Sequence, residues 1–121
     1  MQEEEAKQKL FIVFLGGKAS KSHIEQHDVR WVIGSSIENT FFQLREEWFG
    51  ERVGLHIDSY IELKYIDGYE VILKKVDYET NKKSNSIDRH LWFVNLGGYT
   101  KDSLIESHNF GLFIAKNQTE A

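Results

Sequence analysis

The stretch Leu15-Gly16-Gly17, followed by Ile24-Glu25-Gln26-His27-Asp28, decides the fold because the chain contains it twice. Leu96-Gly97-Gly98, followed by Ile105-Glu106-Ser107-His108-Asn109, is the same phrase 81 positions later. A phrase that returns with its internal spacing intact indicates that one supersecondary unit is present in two copies.

The similarity extends on both sides of the phrase. Residues 10–33 align with residues 91–114 without a gap and agree at ten of 24 positions, where chance pairing gives roughly one or two. We therefore predict one domain over the whole chain, with repeat one at 9–76, a linker at 77–88 and a partial repeat two at 89–121.

The first copy opens with a predicted pair of strands. Leu10–Leu15 is a continuous apolar run and indicates a strand buried on both faces. Gly16-Gly17 is expected to supply positive-φ conformations through which the chain leaves the sheet. A polar loop, Lys18–Gln26, then leads to Val29–Ile33, whose alternation is typical of a second strand.

A helix is predicted next. Ser35 and Glu38 have the spacing of a capping box, and Gly50 is a natural residue past the helix end. Apolar side chains recur at helical spacing at Ile37, Phe41, Leu44 and Trp48, and Phe42 and Phe49 widen this stripe.

Two alternating segments around Asp67-Gly68 predict a hairpin. A two-residue loop pairs Tyr65 with Glu70 and mixes apolar with charged residues on one face. A three-residue loop, Ile66-Asp67-Gly68, pairs Tyr65 with Tyr69 and keeps the apolar residues together, so we predict the three-residue turn.

The second copy repeats the two strands at Leu91–Leu96 and Phe110–Ile114. Asn117 and Glu120 then have capping spacing, which indicates the start of a helix. This favours a fragment of a longer protein over a second copy that lost its helix. The predicted fold class is α+β: a β-β-α-β-β unit and a partial β-β unit, in a mostly antiparallel or mixed sheet packed by one amphipathic helix.

Candidate functional residues lie in the repeated phrase and before the hairpin. Glu25 and His27 are two positions apart with Asp28 next, and His56 and Asp58 have the same spacing. Carboxylate and imidazole groups of this kind are ligands for Zn²⁺, Mn²⁺ or Fe²⁺. The spacing matches no named metal motif, however, and Lys18 after the glycines does not complete a phosphate-binding loop.

Three interpretations of these residues stay open: a structural one, in which they organise the turns, a ligand-binding or catalytic site, and a metal site. The structural one is favoured because both copies must form the same bend. Catalytic and metal-binding residues are not assigned. The candidate ligand-binding or turn-organising residues are Gly16, Gly17, Glu25, His27, Asp28, His56, Asp58, Gly97, Gly98, Glu106 and His108.

The composition excludes several classes of protein. The net charge is −4, and lysines cluster only in pairs such as Lys74-Lys75, so neither nucleic acid nor a membrane is an expected partner. The chain has no cysteine and no apolar run of the roughly 20 residues that a spanning helix needs. Its start, Met1-Gln2-Glu3-Glu4-Glu5, is acidic, unlike a signal peptide. We expect a cytoplasmic protein and predict no cofactor.

The phrase Leu-Gly-Gly…Ile-Glu-x-His-Asp-Val, the helix ending Trp48-Phe49-Gly50 and the segment Leu55-His56-Ile57-Asp58-Ser59 together resemble a small bacterial family, domain of unknown function 1543. The resemblance covers residues 10–75 fully and 91–121 partially, with Asn109 in place of Asp28. It implies one or two domain copies per chain and no activity, cofactor or catalytic residue.

The expected function is therefore a small ligand-binding or protein-interaction module without catalysis. One alternative is a metal-assisted hydrolase that uses Glu25, His27, His56 and Asp58. The other is a purely structural subunit of an oligomer. A small-molecule ligand and a homo-oligomeric partner are both compatible with the sequence.

Overall fold

The structure is a computed structural model that describes residues 7–76 and 88–121. The predicted linker at 77–88 lies outside the described residues except for Asp88. The chain divides into two compact units. The described part of the first contains residues 7–64 and 71–73, and the second contains residues 65–70, 74–76 and 88–121.

The first unit is built on a three-stranded antiparallel sheet. Its strands are β1 (Lys9–Gly17), β2 (Gln26–Gly34) and β3 (His56–Glu62), in the order β2-β1-β3. The predicted strand Leu10–Leu15 is thus the central strand, with Ile12 and Val13 both buried although their side chains point to opposite faces. This confirms the expectation that the run is buried on both sides.

A short helix covers one face of this sheet. A 3₁₀ turn, Glu38–Thr40, leads into α1 (Phe41–Glu47). The core between sheet and helix consists of buried apolar side chains: Phe11, Val13, Leu15, Val32, Ile37, Leu44 and Trp48. Their burial follows from the two periodicities: every second residue of β1, and Ile37, Leu44 and Trp48 at helical spacings of seven and four. Phe41 of the predicted stripe is 38% exposed and is not part of this core.

The predicted helix start was wrong. Neither helical segment has a side-chain cap, and Asn39 donates its amide hydrogen bond to the Ser35 hydroxyl. The Ser35–Glu38 capping box therefore does not form, and the chain enters the helix through the 3₁₀ turn. The stripe is also narrower than predicted, because Phe42 is 75% exposed and Phe49 57% exposed.

The predicted role of the paired glycines was wrong as well. Gly16-Gly17 ends β1 and Gly97-Gly98 ends the corresponding strand β6 (His90–Gly98), so all four lie within strands. The positive-φ glycines of the described chain are Gly54 and Gly68. Lack of space for a Cβ atom, rather than backbone conformation, explains Gly16, Gly17 and Gly97, whereas nothing lies within 4 Å of that position on Gly98.

The second unit contains two antiparallel hairpins. One pairs β4 (Tyr65–Ile66) with β5 (Tyr69–Glu70), and the other pairs β6 with β7 (Ser107–Ala115). Ile66 and Ala115 are buried, and the Trp92 indole N–H donates to the Ala115 carbonyl at 3.0 Å. The predicted capping hydrogen bond at Asn117 forms, since its Oδ1 accepts from the Glu120 N–H at 2.9 Å, but residues 118–120 form a turn rather than the start of a helix.

The hairpin at Asp67-Gly68 has a two-residue loop, so the three-residue prediction was wrong. Tyr65 pairs with Glu70, and Asp67 and Gly68 both have positive φ, at 51° and 82°. The prediction assumed that one face of the hairpin is buried, yet Tyr65 is 70% exposed. Tyr69 is exposed as well, although Ile66 is buried, so burial does not enforce the pairing of the two tyrosines and the positive-φ preference of Asp-Gly sets the loop length. Its strands are also shorter than predicted, since Ile61 pairs with β1 instead.

The architecture is mostly antiparallel β with one short helix, an α+β fold. Every strand pairing in the described residues is antiparallel. No helix in this part of the chain is long and apolar enough to cross a membrane.

Candidate functional site

Three segments of the first unit bring their polar side chains together at Gly16. In the sheet, Gly16 lies opposite His27 of β2 on one side and opposite His56 of β3 on the other. Residues directly opposite one another point to the same face. Glu25 precedes β2, which begins at Gln26, so strand geometry does not extend back to it as the prediction assumed. Its Oε1 nevertheless lies next to the Cβ position of Gly16, the residue that pairs with His27.

The sheet face that carries these residues is opposite the helix. A Cβ atom on Gly17 would meet the Trp48 indole at 2.9 Å, on the helix-covered side. A Cβ atom on Gly16 would instead meet Glu25 Oε1 at 2.8 Å, His56 Nε2 at 2.8 Å and Asp58 Oδ2 at 3.2 Å. Gly16 is therefore the floor of a polar cluster, and any larger side chain would displace it.

A β-bulge in β3 adds Asp58 to this cluster. Phe14 pairs with Ser59 and Leu15 with Ile57, so Asp58 is the extra, unpaired residue between them. Bulges redirect a side chain and are common next to functional sites. Here the two carboxylate oxygens of Asp58 lie 3.1 Å from His56 Nε2 and 3.6 Å from His27 Nε2.

His56 is the centre of the cluster. Its Nε2 lies 2.9 Å from Glu25 Oε1 as well as 3.1 Å from Asp58, and its Nδ1 lies 2.9 Å from the Gly54 carbonyl, to which it donates. The pKa of His56 is raised above 6.5, first by this backbone hydrogen bond and then by the charges of Glu25 and Asp58, while desolvation works in the opposite direction. The Gly54 carbonyl and the two carboxylates thus stabilise the protonated form of His56.

A cleft of about 570 Å³ opens beside the cluster. Glu25 and His56 line it together with the loop between β1 and β2, and Glu51 closes another side. The loop is held by a turn in which the Ser22 N–H donates to the Ala19 carbonyl at 3.0 Å. This volume lies within the range of about 300–1,000 Å³ that is common for small-molecule sites.

Two of the candidate residues do not join the cluster. Asp28 accepts from the Arg30 guanidinium at 3.0 Å and from the Val29 N–H at 2.9 Å, which ties down its own strand. Gly17 contacts the Trp48 indole and belongs to the core side. Asp28 is therefore next to His27 in the sequence but is not part of the polar cluster.

The second unit has a smaller version of this arrangement. Glu106 Oε1 lies 3.5 Å from His108 Nε2, and Tyr99 donates to Glu106 Oε2 at 3.2 Å. The Glu106 side chain occupies the space where Gly97 would carry a Cβ atom, whereas nothing lies within 4 Å of that position on Gly98. The β6–β7 sheet has two strands in the described residues, so no strand supplies partners equivalent to His56 and Asp58.

The described residues contain no group of three or more histidine, aspartate and glutamate side chains arranged to hold a metal ion. Glu25 and Asp58 approach His56 Nε2, and His27 approaches the other oxygen of Asp58, so the four side chains contact one another in pairs. Their arrangement suits proton sharing and hydrogen bonding to a ligand.

Two contributors to the site were missed from the sequence. The Gly54 carbonyl fixes the His56 ring, and Gly54 has a φ of 84°. A glycine two residues before a strand is a recognisable turn signal. Glu51 also lines the cleft. No sequence pattern marked it as a site residue, because only the course of the chain after α1 brings it there.

Comparisons with known proteins agree with this fold. The crystal structure of protein Il1583 from Idiomarina loihiensis is 35% identical and superposes with a TM-score of 0.71 over 93% of this chain. The match spans 66% of that longer chain. No curated protein matches the sequence. The model of the family DUF1543, domain of unknown function, matches residues 22–73. The chain therefore carries a DUF1543 domain at residues 22–73, as its sequence resemblance implies.

Proposed function

We propose that the first unit is a binding module for a small polar molecule, which contacts Glu25, His27, His56 and Asp58. The observation that carries this proposal is the convergence of these four side chains over Gly16, at the edge of the cleft. They come from the end of the β1–β2 loop, from β2 and from β3.

The energetics of the cluster support a role beyond stability. Its side chains are 41% to 61% exposed, and ion pairs in such positions contribute only about 0–1 kcal/mol to folding. The cluster nevertheless requires a glycine beneath it and a bulge beside it. Such a costly local arrangement is expected where the exposed polar atoms serve a ligand.

We also propose that the two hairpins descend from one duplicated unit. Gly16 pairs with His27 as Gly97 pairs with His108. The turn bonds match as well: Ser22 Oγ donates to the Ile24 carbonyl at 2.6 Å and Ser103 Oγ to the Ile105 carbonyl at 2.8 Å. On this proposal the binding site is complete in the first unit, which has the third strand.

The two alternative functions that the sequence left open place different demands on these side chains. A metal-assisted hydrolase would need Glu25, His27, His56 and Asp58 to rearrange around a cation. A structural oligomer subunit would need no small ligand. The acidic composition, with a net charge of −4, supports a cytoplasmic module that avoids nucleic acid and membranes.

Native mass spectrometry of the purified chain, mixed with a bacterial extract of small molecules, tests the proposal. We expect a bound small molecule to add mass to the wild-type protein, and a smaller fraction of the Glu25→Gln variant to carry this added mass. Glu106→Gln is the matched control, because it changes the same residue type at the same position of the other hairpin. Binding that both variants retain, or the absence of any added mass, contradicts the proposal. Bound metal counted by elemental analysis would favour the hydrolase instead.

A further inference from the structure

We infer that the ligand of this cleft carries an ammonium group next to an apolar hydrocarbon part. The inference rests on the proposed function and specifies the ligand class of the same site. Charge, unused acceptor atoms and an exposed apolar wall each contribute to it.

The charge of the cleft favours a cation. Glu25 and Glu51 line it, and Asp58 adjoins it through His56. Against these three carboxylates stand the groups that can carry a positive charge: Lys18 and, when they are protonated, His23 and His56, which also line the cleft, and His27, which adjoins Asp58. While His23 and His27 are neutral, the three carboxylates outnumber the cations whether or not His56 is protonated, so a cationic group is attracted and an anionic group repelled.

The acceptor atoms suit an ammonium group in particular. Glu25 contacts His56 through Oε1, and among the described residues no donor engages its Oε2. The Glu25 side chain is 44% exposed, so a ligand can reach the second oxygen. An ammonium group has three N–H donors, and charge-assisted hydrogen bonds from such donors to carboxylates are stronger than neutral ones. A metal ion fits less well, since the described residues offer no ligand set for one.

The apolar part is indicated by Ile24, which lines the cleft while 74% exposed. The turn around it is held by Ser22 and by backbone groups and does not require an apolar residue here. A second cleft of about 540 Å³ shares Ser20, Ser22 and Glu51 with the first, and Phe49 lines it. An apolar chain that leaves the carboxylates can therefore cover exposed apolar surface, which is favourable.

Three probes with the same six-carbon chain test the inference: n-hexylammonium, 1-hexanol and hexanoate. Their binding is followed by ¹H–¹⁵N NMR titration of the full chain at neutral pH. We expect n-hexylammonium to shift the amide signals of Gly16, Glu25 and His56. Its dissociation constant should be roughly tenfold lower than that of 1-hexanol, with hexanoate weakest. Equal or tighter binding of 1-hexanol or hexanoate at these signals overturns the ammonium inference and leaves the proposed binding site standing.

Variants separate the two parts of the ligand. Glu25→Gln should weaken n-hexylammonium roughly tenfold and leave 1-hexanol unchanged, while Ile24→Ser should weaken both probes alike. Glu106→Gln is the control and should change neither. Titration with ZnCl₂ alone tests whether the cleft binds a metal ion instead. The inference is overturned if Zn²⁺ shifts the same signals and n-hexylammonium shifts none of them. It is also overturned if no probe shifts any signal. The native mass spectrometry with the extract of small molecules tests the proposed function independently.

Discussion

Replacing the two adjacent glycines of β1 by alanine, one at a time, separates the site from the core. A methyl group at Gly17 meets the Trp48 indole at 2.9 Å, and that side chain is only 6% exposed and packed on every side. Overpacking of this kind costs about 1–3 kcal/mol. We expect the free energy of unfolding in urea to fall by that amount, with a drop in Tm of roughly 4 °C per kcal/mol.

The atoms nearest to a methyl group at Gly16 are the ends of the Glu25, His56 and Asp58 side chains, at 2.8 to 3.2 Å. These ends can rotate into solvent, and alanine at an ordinary φ gains about 0.4–1 kcal/mol by restricting the unfolded chain. The free energy of unfolding should therefore change by less than about 1 kcal/mol. The contacts among the Glu25, His56 and Asp58 side chains, in contrast, must be lost.

The readout for the cluster is the pKa of His56, from NMR titration of its ring protons. The largest cause of the raised pKa is the hydrogen bond to the Gly54 carbonyl, and the carboxylates add to it; in Gly16→Ala we expect the pKa of His56 to fall because the carboxylates move away. In Gly17→Ala it should stay raised. The reasoning is refuted if Gly16→Ala destabilises the protein as much as Gly17→Ala does and leaves the pKa of His56 unchanged.

The remaining predictions concern single side chains. Glu25→Gln should lower the pKa of His56 by removing one carboxylate at 2.9 Å, whereas Glu106→Gln should not; the same NMR titration decides. Because the folded state raises this pKa, its stabilising effect is fully present below about pH 6.5 and is lost as the pH rises through the folded-state value. The Tm difference between wild type and His56→Gln should therefore shrink with rising pH, and a growing difference would contradict the assigned direction. Leu44→Ala, at 2% exposure, should cost about 2–5 kcal/mol in urea unfolding, and Phe42→Ala, at 75%, less than about 0.5 kcal/mol.

The sequence predicted those elements whose burial is periodic. β1, β2 and the strands of the second hairpin follow from apolar runs and alternation, and the helix follows from the spacing of Ile37, Leu44 and Trp48. The two-residue hairpin loop was missed because the face argument required Tyr65 and Tyr69 to be buried together on one face, and both are exposed. The capping box failed because a 3₁₀ turn replaced the first helical turn.

The site was predictable in its residue types but not in its assembly. Glu25 and His27 are two residues apart, so their proximity followed from the sequence, although Glu25 lies just before β2 rather than within it. His56 and Asp58 reach them only because β3 pairs with β1 across about 40 residues of chain, a tertiary choice that no local pattern encodes. The bulge at Asp58 and the carbonyl of Gly54 depend on the same pairing.

The two hairpins show what this pairing adds. Each has a glycine floor, a glutamate beside it and a histidine two residues later. In the second, Glu106 lies over its own glycine and contacts His108 and Tyr99. In the first, the third strand brings His56 to Glu25 and Asp58 to His27, and the cleft opens beside them. The repeated phrase alone gives only the arrangement of the second hairpin, in which Glu106 fills the space over its own glycine. A chain that contains the phrase should therefore not be assigned the full polar cluster unless a strand with the His-x-Asp spacing of β3 also pairs with the strand that ends in the two glycines.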